Sequence, residues 1–174
     1  LEQVRGRRVD VLVLLEITPR AAARLADLGL DAVLPNEVGG ARDGADGSVI
    51  RSRFPLEQAE AVTMPGETDL FQPAARADVD GRPLLVRAVH PFPPTPPNLD
   101  FWRSGLAGLA DWTRAQPAGI PVVLAGDFNS SGDHPAFRAL ADGLVDAHAA
   151  TGWGWAPTWP QDRRWLPPFV QIDH

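Results

Sequence analysis

The chain has 174 residues, 44% of them hydrophobic, enough to bury a core, and it is read as one domain over 1–174. With no cysteine and all 16 basic residues arginine, it excludes disulfides, thiolate metal sites, cysteine nucleophiles, Schiff-base lysines and the lysine of a phosphate-binding P-loop. A net charge of -6 argues against a broad basic face for nucleic acid, but not against a nucleic acid held at one small site.

In chain order, Leu1 and Val4 followed by Arg5, Arg7 and Arg8 resemble a helix end. Val9 to Leu15 is a near-continuous aliphatic run of the kind found in strands buried on both faces, and it stops at Glu16. Thr18 then caps, and Pro19 opens, a helix carrying Leu25 and Leu28 and ended by Gly29. The glycine-rich segment 39–47 lacks phosphate-loop spacing and reads as a mobile hairpin connection. The run SVIRSRFPL and Ala59 to Thr63 read as short strands, and Leu70 to Val79 with Pro83 to Val89 as a hairpin around Asp80-Gly81.

At His90 the pattern breaks into HPFPPTPPN, an extended and stiff connection. Asn98 caps a helix on the spacing Leu99, Trp102, Leu106, Leu109 and Trp112. The strand Ile120 to Ala125 leads into GDFN, a helix follows from about Pro135 to Ala141, and a Trp- and Pro-rich tail closes on FVQIDH. Strands outnumber helices, which gives a mixed α+β class with helices packed outside the sheet.

Three aliphatic strands end alike, at Glu16, at His90 and at Asp127 with Asn129. A carboxylate buried at a strand end is costly unless paired or metal-bound, so the repetition points to one shared polar pocket. Taken singly, Glu16 is equally a strand-end acid paired with an arginine, and His90 reads first as a structural histidine before a proline-rich turn. Asp127 and Asn129 are the stronger pair, because alternation along an extended chain puts both on one side and Phe128 on the other. Asp173 and His174 add a second acid and a titratable base. Hard oxygen ligands without cysteine suit Mg²⁺ or Mn²⁺, and a phosphoester suits the set: the metal neutralises phosphate charge, and a histidine beside an acid takes a proton from water.

The pieces DVLVLLE, GSVIRSRFPL, LLVRAVHP, VVLAGDFN, GLVDA, PTWP and IDH, in this order over residues 10 to 174, resemble the endonuclease/exonuclease/phosphatase (DNase-I-like) superfamily. The resemblance implies a four-layer α/β/β/α sandwich of two mostly antiparallel sheets. It also implies Glu16, Asp127 and Asp173 as metal ligands, Asp127 acting at the attacking water as well, Asn129 at the phosphate, and His90 at the phosphate or the developing charge. His174 is implied at the attacking water, Asp146 as the acid that supports His174, and Trp159 as a substrate-side aromatic. From the residues alone, Asp146 is equally a strand or turn residue. The family's first and last strands are missing from the chain, which therefore reads as a trimmed portion of the working domain.

The wording of GDFNSSGDHPAFRAL, GLVDAHAATGWGW, PTWP and IDH is most similar to bacterial members related to the teicoplanin-resistance phosphatases. That resemblance implies a phosphorylated lipid or cell-envelope intermediate as substrate. It also implies a membrane tether outside the chain and a place on the extracytoplasmic face, with no obligate protein partner. The alternatives are a nuclease, with Arg51, Arg53, Arg163 and Arg164 as a phosphate-binding patch, and a non-catalytic binding module on the same fold.

Overall fold

A computed structural model describes residues 1–59, 70–152, 156–161 and 165–174. In chain order the elements are α1 (Glu2–Gly6), β1 (Val11–Leu15), α2 (Pro19–Asp27), α3 (Leu30–Val33), β2 (Asn36–Gly40), β3 (Ser48–Ser52) and β4 (Leu56–Ala59). They continue with β5 (Ala74–Val79), β6 (Arg82–Val89), α4 (Leu99–Arg114), β7 (Val122–Gly126), α5 (Pro135–Leu140) and α6 (Ala147–Ala150). By contacts the chain divides into two compact units. One comprises Leu1–Val62, Leu70–Ala88 and Gln116–Ala125; the other includes Val89–Ala115 and Gly126–His174.

The first unit holds two sheets, ordered β1-β3-β2 and β4-β5-β6-β7, with every pairing of β1 to β3, β2 to β3, β4 to β5 and β5 to β6 antiparallel. Val38 and Ile50 of the first sheet pack with Ala75, Val86 and Ala88 of the second, and Val11, Val13, Leu15, Leu56 and Leu84 close around them. Each valine or isoleucine side chain fully buried there contributes about 1.5–3 kcal/mol. The α+β class with two packed sheets and accompanying helices is thus observed. Thr18 caps α2 by accepting from the Ala21 N–H at 3.2 Å, as the sequence predicts. α3 is tied to the first sheet through Arg51 of β3, which pairs with Asp31 at 2.8 Å and with Glu37 at 2.5 Å.

Some expectations are corrected. The run SVIRSRFPL is two strands, not one: the Ser52 hydroxyl accepts from the Phe54 N–H, the chain turns, and β4 joins the other sheet. β5 begins at Ala74 rather than at Leu70. β2, with the sequence NEVGG, was not predicted; its pairing along β3 offsets a poor strand propensity. The strand expected over Ala59 to Thr63 lies, beyond Ala59, outside the described residues, as do Trp153, Trp155, Arg163 and Arg164.

The segment 41–47 is not a free connection. Arg42 donates its N–H to the Ile17 carbonyl and pairs with Asp46, the Gly47 carbonyl accepts from Ile17, and the Arg42 guanidinium lies 3.8 Å from the Phe71 ring centroid.

In the second unit α4 buries Trp102, Leu106, Leu109 and Trp112 along one face and contacts α5. Asn98 stands at its N-cap but makes no side-chain capping bond. No helix among the described residues is long and apolar enough to cross a membrane.

Candidate active site

The second unit brings most of the predicted site residues together, because the segment after β7 pairs with the end of the chain. Phe128 donates its N–H to the Ile172 carbonyl, and His174 donates its N–H to the Gly126 carbonyl. Asp127 and Asp173 are therefore direct partners in an antiparallel bridge, at the closely spaced position between its hydrogen bonds. Side chains at such a position share one face, and two like charges directly opposite repel.

The turn after Asp127 is set locally. Asp127 Oδ1 accepts from the Asn129 N–H at 2.7 Å, and Asn129 takes a positive φ of 48°, a region that asparagine tolerates better than most residues. Asn129 Nδ2 donates to the Pro91 carbonyl at 2.9 Å, beside buried His90, and keeps a second N–H. Phe128 is 3% exposed, and its carbonyl accepts from Trp102 Nε1 at 3.2 Å, so α4 fixes the turn from beneath.

His174 is enclosed. Its Nδ1 lies 3.2 Å from Asp146 Oδ2 and its Nε2 lies 3.1 Å from the Ser130 carbonyl. The Phe137 ring is tilted over it at 4.2 Å, and Phe128 meets it edge-on at 5.6 Å. Asp146 does two things at once. Its Oδ1 caps α6 by accepting from the His148 and Ala149 N–H groups, which leaves Oδ2 for the histidine. The Ala149 N–H first, then His174 and the His148 N–H, hold the Asp146 carboxyl below the ordinary carboxylate range against the opposing effect of burial.

Glu16 belongs to the first unit, where it ends β1 with a φ of 53°, a costly conformation for glutamate. Its side chain is exposed, so the desolvation reasoning applied to strand-end acids does not hold for it. Trp159 is half exposed, follows Thr158 in a short ladder with Val170, and meets Phe169 edge-on at 5.9 Å. Arg51 and Arg53, two of the arginines of the nuclease alternative, are each paired with carboxylates, Arg53 with Asp10 at 2.5 Å.

Sequence reasoning missed three contributors: Thr158, whose hydroxyl accepts from the Ile172 and Asp173 N–H groups; the Ser130 carbonyl; and Phe137 against His174. Thr158 lies inside the quoted PTWP piece and Phe137 on a predicted helix, but their roles depend on long-range pairing that no local pattern reveals.

Among the described residues no three histidine, aspartate or glutamate side chains gather closely enough to hold an ion by themselves. Asp127 and Asp173 nevertheless fit a hard cation of the Mg²⁺ type. Such an ion keeps several waters and is bound through one or two carboxylates together with substrate phosphate.

The sequence pattern of the Endonuclease/Exonuclease/phosphatase family matches residues 1–174. Comparison with curated protein sequences returns no match. Among solved structures, humanized D. rerio TDP2 superposes with a TM-score of 0.73 at 18% identity, over 99% of this chain and 71% of that one. A beta hairpin deletion mutant of beta toxin from Staphylococcus aureus gives 0.70 at 16% identity, over 95% and 72%. Sphingomyelinase C from Streptomyces griseocarneus gives 0.55 at 21% identity, over 76% and 56%. At these identities the structures share a fold with this chain.

Proposed function

The chain belongs to the endonuclease/exonuclease/phosphatase family, whose members are metal-dependent phosphoester hydrolases, and on that footing we propose that it acts on a phosphorylated lipid or cell-envelope intermediate. The observation that carries the reading is the antiparallel bridge that makes Asp127 and Asp173 direct backbone partners, with His174 next in the chain. That arrangement costs stability unless a cation or a proton offsets the repulsion. Magnesium ions are bound in one beta toxin structure, which supports Mg²⁺, with Mn²⁺ as the substitute.

When bound, the metal neutralises phosphate charge and makes a nearby water more acidic. The chain's own residues supply the rest. Asn129, anchored on Pro91, directs its second Nδ2–H at a phosphate oxygen. His174 keeps its Nδ1 proton on Asp146, which fixes the tautomer. With the proton on Nδ1, Nε2 carries the lone pair and makes no hydrogen bond to the Ser130 carbonyl 3.1 Å away, so on substrate binding it takes the proton from the attacking water. Buried His90 faces the developing charge, Trp159 lies against the substrate's non-phosphate part, and exposed Glu16 keeps the acid role that the resemblance implies.

The lipid preference rests on the resemblance and on the acidic balance of the chain, which disfavours a polynucleotide's phosphate backbone. The kinship with teicoplanin-resistance phosphatases, the membrane tether and the extracytoplasmic site belong to the same proposal. A TDP2 structure in complex with a single-strand DNA product keeps the nuclease reading in view as the competitor. The test offers phosphatidate and a prenyl diphosphate in detergent micelles, and separately plasmid and oligonucleotide, all with Mg²⁺. Phosphate release from the lipids, lost in Asp127→Ala, is expected. Robust plasmid nicking that disappears in Asp127→Ala, without lipid turnover, would move the assignment to a nuclease.

A further inference from the structure

We infer that Thr158 is a positioning residue for the metal-binding acids, a clamp that holds Asp173 in register with Asp127. The inference rests on the phosphohydrolase reading above. Its basis is an unusual division of hydrogen bonds in the last residues of the chain. On one side, residues 172 and 174 pair with the segment after β7 through Phe128 N–H to Ile172 and His174 N–H to Gly126. On the other side Thr158 and Trp159 both donate to the Val170 carbonyl, and Trp159 accepts from Phe169 and Val170, but among the described residues no main-chain bond of this ladder continues toward 173.

A side chain takes over at that point. Thr158 Oγ1 accepts from the Ile172 N–H at 3.0 Å and from the Asp173 N–H at 3.2 Å. One hydroxyl oxygen has two acceptor positions, and both are used. Gln171 Nε2 adds a bond to the Asp173 carbonyl at 3.1 Å, so the peptide groups on both sides of this acid are held by side chains.

The consequence follows from the bridge. Asp173 opposes Asp127 at a closely spaced position, and the repulsion between the two carboxylates pushes the segments apart whenever no cation lies between them. Thr158 resists that displacement without itself touching ion or substrate. Outer partners of this kind typically change metal affinity or activity by about 10–100-fold when removed. Threonine supplies the oxygen, and valine keeps its shape while deleting the acceptor.

The experiment compares wild type, Thr158→Val and Thr158→Ser by calorimetric titration with Mn²⁺, and by kcat and KM for a simple aryl phosphodiester as Mg²⁺ is varied. Thr158→Val is expected to weaken Mn²⁺ binding about tenfold and to raise the Mg²⁺ needed for half-maximal rate by a similar factor, with substrate KM at saturating Mg²⁺ little changed. Thr158→Ser, which keeps the oxygen, restores both to within about twofold of wild type. Wild-type Mn²⁺ affinity in Thr158→Val overturns the clamp while leaving the phosphohydrolase reading in place. A wild-type protein that takes up no Mn²⁺ and hydrolyses nothing overturns both. Should Thr158→Val not fold, Thr158→Cys, with its weaker sulfur acceptor, carries the same comparison.

Discussion

Asp146 spends its two oxygens on two different tasks, one on the first turn of α6 and one on His174. Because its folded pKa is depressed, its charge contributes stability that is complete above the unfolded value of about 3.9 and is lost as pH falls through the lower folded value. Asp146→Asn retains a capping oxygen, so the comparison isolates the charge. The difference in urea midpoint between wild type and variant is expected to be constant from about pH 7 to 5 and to close below about pH 4. A difference unchanged at pH 3 would contradict the assigned pairing. In activity, loss of the carboxylate from His174 is expected to cost roughly 10²–10⁴-fold, read as kcat/KM at neutral pH. GLVDA marked Asp146 only through the resemblance. By residue type it is a turn acid, and nothing local says that its second oxygen reaches a histidine at the far end of the chain.

At the level of elements, segment 41–47 and α4 have more definite work than their patterns suggested. Gly47 is buried against Ile17: a Cβ there would lie 2.0 Å from the Ile17 carbonyl oxygen and 2.7 Å from the Arg42 nitrogen. Gly47→Ala must therefore push the backbone that follows strained Glu16. A loss of about 1–3 kcal/mol in a urea melt is expected, and wild-type stability would show that the loop does not hold Ile17. Trp102→Phe in α4 takes the indole N–H from the Phe128 carbonyl inside the core. It is expected to cost about 1–3 kcal/mol by the same measurement. β1 was legible as a strand because an aliphatic, β-branched run leaves few other readings, although as an edge strand it is only partly buried rather than buried on both faces, and α2 because Thr18 and Pro19 carry their capping chemistry in plain view. β2 was not, since its strand state depends on β3 as a partner. The bridge that faces Asp127 with Asp173 was equally hidden, because it joins positions far apart in the sequence.

At the level of the whole molecule, the chain's acidity and its acid-rich site need reconciling. A net charge of -6 repels a phosphorylated substrate, and the Asp127–Asp173 pair adds to that repulsion locally. A divalent cation offsets both, in keeping with the metal dependence of the family to which the chain belongs. The direct measurement is hydrolysis of a simple aryl phosphodiester in Mg²⁺ and in excess EDTA, for wild type and for Asp127→Asn. The predicted result is turnover that needs the cation and falls by at least about 10²-fold in the variant. Hydrolysis that persists in EDTA, or an Asp127→Asn protein that matches wild type in Mg²⁺, would contradict a metal-dependent site at this pair of acids.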